Sequence, residues 1–206
     1  MKVIKAFFIV NFIAYLMLCQ TVGAANESKA IESVRTTVEA VLDVMRDETL
    51  SGPEKSRERR EKMKALISVR FDFREMSRRA LARHWKKRTT EEQDEFVDLF
   101  SDLLQNTYIS KIEKYTDEKV NYDKEVIRKK GKYSIVRTSI LSKDITIPID
   151  YRLMRRGDKW MVYDVLVEGV SIISNYRSQY NNILSRESYA ELIQKMKEKL
   201  EKAEFH

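Results

Sequence analysis

The chain has 206 residues, 43% of them hydrophobic and 34% charged, with 39 Lys and Arg against 32 Asp and Glu for a formal net charge of +7. That is enough apolar chain for one well-filled domain. One cysteine, two histidines and five glycines exclude a disulfide framework, a Cys/His metal centre and a glycine-rich phosphate loop.

The first element is a leader. Met1 to Lys5 carries two lysines, "AFFIVNFIAYLMLC" is an almost unbroken apolar run, and "QTVGAA" closes it with small residues at Val22, Ala24 and Ala25. This is the three-part pattern of a secretory signal peptide, expected over residues 1–24 with cleavage after Ala24. The run is shorter than the ~20 residues of a spanning helix, and Leu18 stands before Cys19 where a lipoprotein signal wants a small residue. One domain is then expected over residues 25–206. Cys19, Lys2 and Lys5 leave with the leader, so packing alone stabilises the rest, and a modest basic excess persists in runs such as "SRERREKMK", "KKR" and "RKKGK". On an exported chain such runs signify a solvated surface, or one that meets anionic membranes or acidic proteins, rather than nucleic acid.

Helices come next. In "AIESVRTTVEAVLDVM", Ile31, Val34, Val38, Val41, Leu42 and Met45 recur at three- and four-residue steps, one stripe of a helix that Gly52-Pro53 stops. Asp72 and Glu75 have capping-box spacing before the short helix "REMSRRALARHW". Thr89 with Glu92, or Thr90 with Gln93, caps a longer one whose Phe96, Leu99, Phe100, Leu103, Leu104 and Tyr108 form a bulky apolar face.

From about Lys119 the period falls to two. Four strands are expected near 119–128, 133–142, 145–154 and 159–168, joined by "KKGK", "SKD" and "RRGDK" turns short enough to make neighbours antiparallel. On the third, Ile145, Ile147, Ile149, Tyr151 and Leu153 face one way, toward a buried side, and Pro148 implies an edge or a bulge. Two helices follow, one with Ile173, Tyr176, Tyr180, Ile183 and Leu184, the other with Tyr189, Leu192, Ile193, Met196 and Leu200. The fold class is α+β, a four-stranded antiparallel meander covered by amphipathic helices.

The inventory for catalysis is thin. His84 reads as a helix-end histidine; Asp150 falls on the polar face of its strand; Asp164 reads as a cap or the partner of an Arg. No catalytic residue and no metal ligand is assigned. The apolar excess has two readings: a filled core, or walls enclosing a cleft that the protein does not fill itself.

The stretches "VRFDFREMSRRALARHWKKRTTEEQDEFVDLFSDLLQNTY", "IPIDYRLMRRGDKWMVYDVLVEGVSIISNYRSQYNNIL" and "YAELIQKMKEKL" resemble the MlaC, or toluene-tolerance, family of periplasmic phospholipid-binding proteins. Their most specific parts are Phe71-Asp72-Phe73, Trp85 before the Thr-Glu-Gln cap, the Trp160 to Val165 strand, and Glu168-Gly169-Val170-Ser171 leading to Asn175-Tyr176-Arg177. The chain departs from the family at Ala82, often Gly, and in lacking a Gly near Ser185 to Ser188. The resemblance implies a soluble periplasmic carrier with phospholipid as cargo and no cofactor. Its implied partners are an inner-membrane ABC transporter with a mammalian-cell-entry domain protein and an outer-membrane lipoprotein complex. A hopanoid or other lipid carrier is the near alternative; an exported isomerase-like enzyme or a filled interaction module are the distant ones.

Joined to the strand and helix faces, this reading places a lipid-sized apolar cleft between sheet and helices. Its candidate lining is Phe100, Leu103, Leu104 and Tyr108 on the long helix and Ile147, Ile149 and Tyr151 on the third strand. Leu166, Val170, Ile173 and Tyr176 complete it where a strand turns at Gly169 into a helix capped by Ser171, with Arg177 expected to pair with Glu168 or Asp164 ahead of the alternative of meeting a phosphate.

Overall fold

The computed structural model describes residues 29–114, 118–142 and 145–204, so the expected leader and the tip of the "SKD" turn lie outside the described residues. Four helices come first: α1 (Ala30–Arg46), α2 (Ser56–Arg70), α3 (Phe73–Leu81) and α4 (Thr90–Ile112). Strands β1 (Lys119–Arg128), β2 (Tyr133–Ser142), β3 (Ile145–Arg156), β4 (Lys159–Val167) and β5 (Val170–Ser171) follow, then α5 (Ile172–Leu184) and α6 (Tyr189–Glu204).

The caps explain most helix starts. The Asp72 carboxylate accepts the Glu75 N–H at 2.9 Å to open α3. Thr89 and Glu92 complete a reciprocal capping box on α4. The rival Thr90–Gln93 pairing is not used, because the Gln93 amide donates instead to the Trp85 and Arg88 carbonyls. Helix α3 stops earlier than its apolar pattern suggests. Ala82, at φ 48° and ψ −117°, turns the chain into a 3₁₀ segment, Ala82–Lys87. That backbone region suits glycine, since a Cβ crowds the neighbouring carbonyl there.

The sheet is an antiparallel meander in the order β1-β2-β3-β4-β5, so it has five strands and not four. The fifth arises because Glu168 (φ 49°) and Gly169 (φ 80°) both take left-handed conformations, the signature of a two-residue hairpin turn that folds Val170–Ser171 back onto Leu166–Val167. Pro148 sits beyond the last β3–β4 pair, Ile149 with Val167, where β3 is an edge; its carbonyl still accepts the Glu168 N–H at 3.0 Å.

The buried side chains form three clusters. Phe96, Phe100, Leu103, Leu104, Ile173, Tyr176, Tyr180, Leu192 and their neighbours join α3, α4, α5 and α6. Ala30 and Val34 of α1 pack on Val136, Leu153, Trp160 and Val162 of the sheet. Val41, Met63 and Ile109 hold α1, α2 and α4 together. Phe71 packs against both the helical and the sheet cluster, and its segment runs along the outer edge of β4, where the Asp72 N–H donates to the Val162 carbonyl.

Candidate functional site

Register decides which strand residues can share a wall. Tyr151 pairs with Val136 on β2 and with Val165 on β4, and Ile149 with Thr138 and Val167. Tyr151, Ile149, Ile147, Val165 and Val167 therefore lie on one face. Burial along that face is graded. Leu153 is fully buried under α1, Tyr151, Ile149 and Ile147 are half-buried, and Ile145 is 65% exposed. The expectation of a uniformly buried face is thus corrected: α1 covers only the end near Leu153, through Ala30, Ile31, Val34 and Val38.

Tyr151 is the informative residue. Protein surrounds it so fully that desolvation alone pushes its phenol up to about 12, yet its side chain keeps accessible surface. Apolar groups around it are partly covered in the same way: Val38 on α1, and Val165 and Val167 on β4.

The remaining expected lining residues fall in different surroundings. Phe100, Leu103, Leu104, Ile173 and Tyr176 are buried within the helical cluster. Phe100 stacks edge-on against Tyr176 at 5.1 Å and Tyr180 at 5.7 Å, and Phe96 closes the group at 5.6 Å from both Phe100 and Tyr180. Packing of this kind fills space with aromatic side chains. Tyr108 is half-buried at the edge of this cluster, its phenol raised to about 12 chiefly by desolvation, with the Lys111 ammonium 5.1 Å from its ring. Leu166 pairs with Asp150 and Ser171, on the sheet face opposite Tyr151. Val170 is 64% exposed at the hairpin. Register keeps Leu166 off the wall that carries Ile149, a correction to the expected lining, whereas Val170 pairs with Val167 on that same face and stands exposed at its rim.

Two wall features escaped the sequence reading. Val165 and Val167 show the same alternation as Leu166 but one register along, and only the β3–β4 pairing selects them. The other is the docking of α1. Lys29 offers no side-chain cap, and the Glu125 carboxylate of β1 instead accepts the N–H groups of Ala30 at 3.1 Å and Ile31 at 3.3 Å and the Ser134 hydroxyl at 3.2 Å. A carboxylate at a helix N-terminus is favoured by the helix dipole. Helix α1 is thereby fastened over the sheet.

The polar groups nearby are committed to structure. Asp164, 4% exposed, accepts from Arg152 at 3.1 Å, the Ser171 hydroxyl at 2.8 Å and the Ile173 N–H at 3.2 Å, and so joins β4 to the start of α5. Ser171 in turn caps α5 by accepting from the Ser174 N–H. Asp150 faces Arg137 at 3.8 Å. Arg177 does not pair with Glu168 or Asp164 as expected; its guanidinium donates to the Arg79 carbonyl at 3.0 Å, because helix α5 points it toward α3. A separate depression of about 590 Å³ is lined by Asp72, Arg74, Glu75, Arg78, Trp85, Gln93 and Arg156. Its acids and arginines largely neutralise one another: Glu75 is gripped by Arg78 and Arg79, with Arg156 3.7 Å away.

The fold defines a class: an α+β domain in which a layer of helices and an antiparallel sheet carry distinct buried clusters bridged by Phe71, with a half-buried apolar strip on the sheet at Ile147, Ile149, Tyr151, Val165 and Val167. The family model described as MlaC protein matches residues 35–198. A curated Haemophilus influenzae protein, "Intermembrane phospholipid transport system binding protein MlaC", is 25% identical over 124 residues, 58% of this chain and 58% of that relative, so the match spans little more than half of either. A solved phospholipid-binding protein from Ralstonia solanacearum, in complex with a phospholipid, shares the fold at a TM-score of 0.74 and 24% identity, over 85% of this chain and 99% of that one. This chain belongs to the MlaC family.

Proposed function

We propose that the chain is a periplasmic carrier that holds the acyl chains of a phospholipid in the cleft between α1 and the sheet. In this reading it passes the lipid between an inner-membrane ABC transporter and an outer-membrane lipoprotein complex. The single observation that carries the reading is Tyr151, deep in the protein yet accessible, on a face where Ile147, Ile149, Val165 and Val167 are all partly covered. Family membership, the name of the Haemophilus relative and the lipid bound by the Ralstonia protein support it.

The physics of the task explains why a cleft suffices. Each buried methylene contributes ~0.8 kcal/mol, so two chains of about sixteen carbons would cost on the order of 25 kcal/mol to release into water. A barrier of that height permits on the order of 10⁻⁶ events per second. Apolar walls offered during hand-off lower it without making or breaking a covalent bond, so the reading assigns the protein no catalysis. The committed carboxylates of Asp164 and Asp150 favour a carrier over an isomerase-like site, which needs a free base facing the cleft.

The test is organic extraction of protein purified from the periplasm, followed by lipid mass spectrometry. A stoichiometric phospholipid is expected. Protein that comes lipid-free and takes up no labelled phospholipid from vesicles overturns the proposal.

A further inference from the structure

The meander places two hairpin turns at the same end of the sheet. The β1–β2 turn carries Arg128, Lys129, Lys130 and Lys132, and the β3–β4 turn carries Arg155, Arg156 and Lys159. They touch, since the Arg155 N–H donates to the Lys132 carbonyl at 3.0 Å. Asp158 is the one acid within residues 128–132 and 155–159. All seven basic residues are exposed. Arg156 is neutralised by Asp72 and Glu75. Among the described residues, Arg128, Lys130, Lys132 and Lys159 form no ion pair, and Lys129 lies 5.1 Å from the Tyr133 ring.

We propose that these two turns form a docking tip for an anionic lipid surface. The occupant follows from the kind of charge and the exposed aliphatic side chain beside it. The tip carries four exposed lysines, Lys129, Lys130, Lys132 and Lys159, compact charges on flexible stems that suit a fluid layer of headgroups better than a fixed carboxylate pattern, which favours arginine forks. Beside it, Ile127 is 52% exposed, a single aliphatic side chain placed to enter the headgroup boundary while the lysines meet phosphates. The backbone adds a further point. Lys129 and Lys130 hold φ values of 50° and 54°, conformations that asparagine and glycine adopt more readily, so the turn itself gains nothing from lysine there. The tip stands on charge and position alone and does not depend on what fills the cleft.

The test is co-sedimentation of the mature protein with vesicles of phosphatidylcholine alone or mixed with phosphatidylglycerol, at low and at physiological salt. The variant is Lys129→Asn with Lys130→Gly and Lys132→Gln, which removes three charges while giving the left-handed positions residues that fit them. Wild type is expected to bind the anionic vesicles and not the zwitterionic ones. The variant is expected to bind roughly 100-fold more weakly, each basic residue at such a surface being worth roughly fivefold. Wild type that ignores anionic vesicles, or a variant that binds them unchanged, overturns the proposal. So does tighter binding to polyglutamate than to vesicles at equal charge, which makes the tip a site for an acidic protein. Lipid extracted from wild type and variant is measured in parallel: an empty cleft in both defeats the carrier reading and leaves the vesicle result standing.

Discussion

The Glu125 carboxylate in β1 accepts the Ala30 N–H at 3.1 Å, so a strand caps a helix that lies 95 residues earlier in the chain. The same carboxylate takes the Ile31 N–H and the Ser134 hydroxyl, and helix α1 lies over part of the sheet face proposed to form the cleft. Loss of this cap is expected to loosen α1 specifically. Glu125→Ala should cost about 1–2 kcal/mol, the usual worth of an N-cap with its dipole interaction. Hydrogen exchange should quicken over Ala30–Arg46 while β2 and β3 stay protected, and bound lipid should fall. Uniform loss of protection across the sheet would contradict a local fastening role.

Ile149 and Phe100 separate cleft from core. Ile149 is half-buried on the proposed cleft face, whereas Phe100 is fully buried among aromatic side chains. Ile149→Trp is expected to displace lipid while the empty protein keeps its melting temperature. Phe100→Ala should cost about 3–5 kcal/mol through the cavity it leaves. Lipid content and melting temperature, measured on both variants, check the assignment; undiminished lipid with lost stability in Ile149→Trp would place that residue in a filled core.

Ala82 carries backbone strain that can be removed. Its φ of 48° with ψ of −117° penalises a Cβ, and glycine at the same position does not meet that penalty. Ala82→Gly is expected to raise stability by about 1 kcal/mol, the strain relieved exceeding the entropy that glycine adds to the unfolded chain. Urea unfolding measures it, and a lower midpoint would contradict the strain.

Glu75 should shape the acid limb of the stability curve. Burial at 5% exposure works against its charge, but hydrogen bonds from Arg78 and Arg79 outweigh burial and hold its carboxyl below the usual 4.5. A lowered folded pKa gives stability that is complete above the ordinary carboxylate value and is lost as pH falls through the folded one. Glu75→Gln is expected to cost about 2 kcal/mol at neutral pH, less than a fully buried pair because the guanidinium groups remain partly in solvent. The deficit should shrink below pH 4, as shown by denaturation at a series of pH values; a constant deficit would mean that packing, not charge, is at stake.

The sequence by itself determined the elements and the class. Three- and four-residue spacing marked α1 and α4, two overlapping cap patterns at Thr89 and Thr90 bounded the start of α4 to within a residue, and period-two alternation marked β1 through β4 almost to the residue. These are local properties, written in side chains a few positions apart. Tertiary structure decided what those faces meet. The fifth strand depends on two consecutive left-handed residues, one of them Glu168, which no propensity favours there. The choice of Val165 and Val167 over Leu166 as neighbours of Tyr151 and Ile149 rests on register between strands, and a shift of one residue reverses every face. The bulky side of α4 turned inward to α5 and α6 and not onto β3, because an apolar stripe records that it must be buried and not against what. The cap that Glu125 gives α1, the partner of Arg177 and the meeting of two basic hairpins at one end of the sheet all join residues distant in the chain, and only the folded backbone brings them together.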